Sequence, residues 1–232
     1  MLLDWLSGGP FDVVNFFLGI LYSLPGLLLG FTFHEFAHAY VAVKSGDETP
    51  RLMGRLTLNP LAHFDLFGVL CMIFAGFGWG KPVQIDPRHV GTCGKGRYNR
   101  WMIRIAFAGI LTNIALAFVL YLLLVTLLYF VAGFSATPIC LILQSAIGIN
   151  IGLACFNLIP IPPLDGSKIL AYTLKRTDWL YKFQQYSSII LMIFVFSGAA
   201  NRVISLLANV FFWAFGMLDK PLYDLFSLLL VR

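Results

Sequence analysis

Two histidines four residues apart, His34 and His38, bracket Glu35 in the run FTFHEFAH ending at His38. On a helix, positions i and i+4 share a face. Both rings can then bind one zinc ion, and Glu35, beside the first ring, can take a proton from a zinc-bound water. With so few His and Glu in the chain, a random match to this pattern is expected roughly 6 times in 10,000. The competing reading is a pair of helix-facing histidines bonded to neighbours, with Glu35 paired to a cation.

Catalytic zinc usually takes three protein ligands and a water. Among the other acids, Asp47, Glu48, Asp178 and Asp219 read as solvated loop charges, and Asp4, Asp12 and Asp224 as helix-end or interfacial groups. Asp65, Asp86 and Asp165 remain as candidate third ligands. Asp165 closes the segment NLIPIPPLDG, which runs from Asn157 to Gly166. Its three prolines end the preceding helix and leave carbonyls unpaired, which membrane depth allows only beside protein or a water cavity. The alternative for this segment is a surface turn in which Asp165 caps the next helix.

The elements that must position these residues are apolar. The 232 residues are 59% hydrophobic and 12% charged, against typical values of about 45–50% and about 25%, and the mean hydropathy is +0.83. Too few charges remain to cover a soluble domain. The net charge of +5 does not indicate nucleic acid, because the basic residues lie between apolar runs. The four cysteines form no CxxC pair, so neither a zinc knuckle nor a disulfide framework is signalled. The N-terminus has no Lys or Arg ahead of its apolar stretch, so it is a poor signal peptide and the first span is expected to be retained.

A spanning helix needs about 20 mostly apolar residues. The pattern predicts an all-α polytopic membrane protein of about six transmembrane helices, near 11–24, 25–44, 102–131, 139–158, 183–196 and 203–217. Pro25 starts the second. Residues 66–79 are apolar but too short and Gly-rich to span, and are expected to enter the membrane and return. A small membrane-associated loop or β element is expected between the second and third spans, and the tail 219–232 reads as an amphipathic interfacial helix. The chain reads as one integral-membrane unit over 1–232, with a catalytic core at about 25–170 and accessory helices at about 171–232. With the N-terminus inside and strict alternation, fifteen of the sixteen Lys and Arg face the cytoplasm, all but Arg202, as the positive-inside rule prefers. Counting from Lys44, His38 lies roughly 9–14 Å below that surface.

The motifs FTFHEFAHAYVA (31–42), LNPLAHFDLFG (58–68), GWGKPVQIDP (78–87) and NLIPIPPLDGSKIL (157–170) occur in an order that resembles the site-2 protease family of intramembrane zinc metalloproteases. They cover most of the first 170 residues. The closest likeness is to compact members without PDZ or CBS domains. The resemblance implies His34, His38 and Asp165 as the ligands of one Zn2+, Glu35 as catalytic base, and Asn157 as a donor to the substrate carbonyl or oxyanion. It also supports a β element at 76–86, where Val83 and Ile85 are candidate substrate-binding residues that pair with an extended substrate strand. The family's AGPxxN element is altered here to Ala108-Gly109-Ile110-Leu111-Thr112-Asn113, so Asn113 reads as a group behind the ligands or a packing residue. His63, in NPLAHFD, reads as a structural group near the site.

The implied activity is hydrolysis of a peptide bond in or near a transmembrane segment, serving regulated intramembrane proteolysis or clearance of membrane peptides. The implied partners are transmembrane proteins or peptides and the lipid bilayer, with no nucleic acid. The implied setting is a prokaryotic cell membrane, with the site nearer its cytoplasmic side. The alternative is a metal-ion or proton-coupled transporter that uses the intramembrane His, Glu and Asp. It lacks the internal repeat that transporters often carry.

Overall fold

The computed structural model describes residues 12–68, 71, 80–92, 98–175, 178, 182–183 and 185–230. Its helices are α1 (Val13–Ser45), the short α2 (Thr49–Leu52), α3 (Tyr98–Phe130), α4 (Pro138–Leu158), α5 (Asp165–Thr173), α6 (Ser187–Phe196), α7 (Ala199–Gly216) and α8 (Asp219–Leu230). Single 3-10 turns occupy Pro60–Ala62 and Phe134–Ala136.

Among the described residues, four stretches are long and apolar enough to cross a membrane: Val13–Ser45, Tyr98–Phe130, Pro138–Leu158 and Ala199–Ser227. The expectation of about six is not confirmed among them. The first two expected spans are one helix, α1, which Asp12 caps at its start by accepting from the Asn15 amide. Pro25 lies inside it. Proline forfeits one backbone bond, but in lipid every other backbone group still needs an internal partner, so the helix continues through. At 33 residues it is about 50 Å long, well over the roughly 30 Å hydrocarbon core.

The expected fifth span is also shorter than predicted. α6 has 10 residues, about 15 Å of helix. Leu191 from α6 packs with Ile159 and Leu164 at the end of α4. The chain then turns at Ser197 and Gly198, and α7 packs on α4 antiparallel to it, which is the sense of α3. Ile204 lies near Phe156, Phe215 stacks near Phe118 and Tyr121, and Phe226 of α8 meets Tyr129 and Phe130. The expected sixth span therefore runs opposite to the predicted direction. Arg202 joins the face that carries the basic loops, and Lys220 leaves it. The expected interfacial tail is helical as α8, but it continues the last apolar stretch along the end of α3.

α3 packs against both α1 and α4, and α4 packs against α1. The α1–α4 contact is close because Gly26 and Gly30 face it: a Cβ on Gly26 would lie 2.4 Å from the Ala146 Cα, and one on Gly30 would lie 2.7 Å from the Asn150 Oδ1. Small residues four apart allow such an approach between helices in lipid. Large apolar side chains such as Phe17, Leu21, Val119, Leu206 and Trp213 are exposed, as expected where the solvent is lipid. One buried cluster joins Ala117, Leu124, Ile147, Ile151 and Phe215. A second joins Ala42, Val90, Met102, Ile105 and Tyr172 at the basic end. On α3 the segment between these clusters, 109–113, faces the histidines.

Among the described residues there is no strand, only an isolated antiparallel bridge between Phe64 and Gly80. Most of the segment expected to re-enter the membrane, 66–79, lies outside the described residues.

Candidate metal centre

His34 and His38 come from adjacent turns of α1, and Asp165 is the first residue of α5. The turn after α4 folds Asp165 back beneath that helix. The His38 Nε2 lies 2.9 Å from the Asp165 Oδ2 and 2.9 Å from the His34 Nε2, and the His34 Nε2 lies 3.3 Å from the same oxygen. A tetrahedral zinc site with bonds of about 2.0–2.1 Å sets its ligand atoms about 3.3 Å apart. The three atoms thus stand within about 0.4 Å of the required triangle. All three side chains are buried. Among the described residues this is the one group of three or more His, Cys, Asp or Glu that could hold a metal. Asp65 and Asp86 are elsewhere. The Asp65 carboxylate accepts from the Gly68 amide, and Asp86 is paired with Arg88. Hydrogen bonds from Arg88 hold the Asp86 carboxyl down at about 2.

The donor chemistry fits a cation. The His38 Nδ1 lies 2.6 Å from the Ile105 carbonyl oxygen, which can only accept. The ring proton is therefore on Nδ1, and Nε2 presents a lone pair to the centre of the triangle. The Asp165 Oδ1 accepts from the Lys168 Nζ at 2.9 Å, which leaves Oδ2 for the same centre. Converging lone pairs in a buried space repel unless a cation lies between them.

α3 leaves room for this triangle at one position. A Cβ on Gly109 would lie 2.5 Å from the His34 Cε1, 2.6 Å from its Nδ1 and 2.6 Å from the His38 Nε2. Asn113, one turn on, is fully buried, with its Nδ2 3.4 Å from the His34 Nδ1. Its Oδ1 has no partner among the described residues.

Glu35 is buried beside the ligands and accepts from the Val83 backbone amide at 2.9 Å. Val83 and Ile85 lie in 81–86, a run with neither helix nor strand. The Asn157 Nδ2 donates to the Leu153 carbonyl of its own helix at 3.0 Å, a bond four residues back along the helix and not to the open carbonyls at its end. His63 is fully buried with its Nε2 2.9 Å from the Thr57 carbonyl. Its neighbour Asp65 is not its partner.

Asp47 is the residue that sequence reasoning misplaced. It is not a solvated charge but fully buried. Its Oδ1 accepts from the Thr49 amide and its Oδ2 from the Asp86 amide, at 3.0 and 2.8 Å. A signal was present, since Asp47 follows the helix-ending Gly46 and precedes Thr49-Pro50, a setting in which a carboxylate can bond the amide two residues on.

A zinc-binding HExxH helix and a distant aspartate, held among apolar spans, define a membrane metalloprotease. The comparisons carry this to a family: the profile of peptidase family M50 matches residues 22–200, and the chain belongs to that family, the site-2 proteases. Three relatives share the name "Putative zinc metalloprotease". YwhC of Bacillus subtilis is 39% identical over 159 residues, covering 64% of this chain and 67% of that protein. MJ0611 of Methanocaldococcus jannaschii is 33% identical over 170 residues, covering 70% and 76%. Rip2 of Mycobacterium tuberculosis is 27% identical over 223 residues, covering 93% and 81%. No solved structure matches the chain. The protein is a zinc-dependent metalloprotease of the membrane, and the transporter alternative is set aside.

Proposed function

We propose that the chain cuts a peptide bond in or near a transmembrane segment of membrane-protein substrates, with His34, His38 and Asp165 holding one zinc ion. The convergence of those three side chains among membrane-spanning helices carries this reading. A zinc ion held by those residues would supply polarisation of a substrate carbonyl and a more acidic water. Glu35 is placed to take a proton from the attacking water and to return it to the leaving amine. Asn157 spends one amide hydrogen on Leu153 and has a second to offer an oxyanion.

Asn113 acts behind the ligands. Exchanging its amide oxygen and nitrogen, which are nearly isosteric, sets Oδ1 against the His34 Nδ1–H. The exchange satisfies a buried oxygen and leaves the Nε2 lone pair for the metal. Asn113→Leu is expected to weaken zinc binding by about 10–100-fold, read by competition with a zinc chelator. His63 is a structural post for the loop over α1.

The membrane setting follows from charge. With α7 running in the sense of α3, eleven of the twelve Lys and Arg among the described residues fall on one face of the four spans, all but Lys220. On the positive-inside rule that face is cytoplasmic, and it is the face nearer Asp165 and the end of α1. The setting is a prokaryotic cell membrane, and the whole chain acts as one unit. The core is about 25–170, with 171–232 as accessory helices. Substrates are transmembrane proteins or peptides, in regulated intramembrane proteolysis or in peptide clearance.

The test is reconstitution of the purified enzyme with a single-pass polypeptide in vesicles. Cleavage should require zinc, stop with a strong chelator and return with stoichiometric zinc. Cleavage at the full rate by metal-free enzyme would overturn the reading. Substrates would be found by comparing membrane proteomes with active and inactive enzyme for single-pass proteins that accumulate uncut.

A further inference from the structure

The segment 81–86 is pinned to the protein by three of its backbone amides. The Lys81 amide donates to the His63 carbonyl at 2.7 Å, next to the Phe64–Gly80 bridge. The Asp86 amide donates to the buried Asp47 carboxylate at 2.8 Å. Between them, the Val83 amide donates to the Glu35 Oε2 at 2.9 Å. The outer two acceptors are fixed, one a carbonyl over α1 and the other a fully buried carboxylate. Gly80 seats one end: a Cβ there would lie 2.1 Å from the Phe31 ring and 2.9 Å from the His63 carbonyl oxygen. The Val83 N–H is thus offered to Glu35 at a point set from both sides.

A glutamate side chain is long and loses rotamer freedom when held in place. A backbone N–H to a carboxylate is a charge-assisted bond, stronger than a neutral one. With Oε2 so engaged, Oε1 is the oxygen left to receive a proton. We infer that the Val83 amide is a positioning group for the catalytic base. The strap 81–86 holds Glu35 on one edge. On its other edge the Asp86 amide is taken by Asp47, and the stretch at Gln84, which is exposed, is the part left for an extended substrate. This rests on the protease reading above, with Glu35 as base and the strap as a pairing edge. Successive residues of an extended run turn their amides to opposite sides, so Val83 and Gln84 serve the two edges separately. Substrate alignment and base orientation then share one piece of backbone.

The experiment exchanges the Val83 amide for an ester by incorporating the corresponding α-hydroxy acid, which removes one hydrogen and keeps the side chain. In the full-length enzyme in vesicles, kcat is expected to fall 10–100-fold, with KM within twofold and zinc still at one per chain. Val83→Pro, which lacks the same hydrogen, should give the same split. The ester exchange at Gln84 should raise KM instead. A Val83 ester enzyme with kcat within twofold of wild type overturns the proposal. Loss of zinc together with kcat, or equal kcat losses at Val83 and Gln84, also overturns it, because either would mean general loosening. In those cases the protease reading stands. Full activity in Glu35→Gln would bring down that reading and this inference together.

Discussion

The Glu35→Gln enzyme is expected to keep its zinc and its fold and to lose peptide hydrolysis by about 10²–10⁴-fold, the usual worth of a positioned general base. The substitution is nearly isosteric. A glutamine carbonyl can still accept from the Val83 amide, so the 81–86 strap stays in place. Glu35 is not one of the three side chains that converge on the metal position, so metal content should remain at one per chain. What is lost is a carboxylate that can take a proton from water and return it to an amine. Metal analysis with single-turnover cleavage in vesicles separates the two effects. Retained cleavage with retained zinc would show that another group is the base.

Gly109→Ala is expected to weaken zinc binding at least 100-fold and to abolish cleavage at ordinary zinc levels, although Gly109 ligates nothing. Its new methyl carbon would sit 2.5–2.6 Å from atoms of His34 and His38, well inside the roughly 3.5–4.0 Å of a relaxed contact. The rings cannot withdraw easily. His38 is tied to the Ile105 carbonyl and His34 is backed by Asn113. Alanine favours helix over glycine by about 1 kcal/mol, so α3 itself should not suffer, and the damage should fall on the metal. Zinc titration and thermal unfolding of the metal-free variant would check this. Normal zinc affinity would mean that α3 shifts aside, and that the 109–113 segment does not shape the centre.

The chemistry was legible because it is written locally. His34, Glu35 and His38 lie within two turns of one helix, and helical geometry alone brings both rings to one face. Asp165 was one of three candidates from the residues; its proline-rich segment made it stand out, and the resemblance then implied it as the ligand. The structure brings its Oδ2 to the histidines because the proline-rich turn after α4 folds it back. The spans were less legible. Hydropathy finds apolar runs but does not say which ones cross. Pro25 looked like a boundary, yet the helix runs through it, because lipid offers its backbone no other partner. The 183–196 run looked like a crossing, but its helix, Ser187–Phe196, is short and packs against the end of α4 instead.

Asp47 and Val83 show the same division. A sequence cannot reveal that a loop carboxylate is buried when the amide it holds lies 39 residues away, nor that a backbone N–H reaches Glu35 from 48 residues away. By itself the sequence determined a lipid-solvated helical protein carrying a zinc-binding HExxH helix, because composition and i, i+4 spacing are properties of the chain alone. The tertiary structure decided which aspartate meets the two histidines, which glycine lies against them and which amide bonds Glu35. Those are distances between segments far apart in sequence, and they are set by how the helices and loops pack.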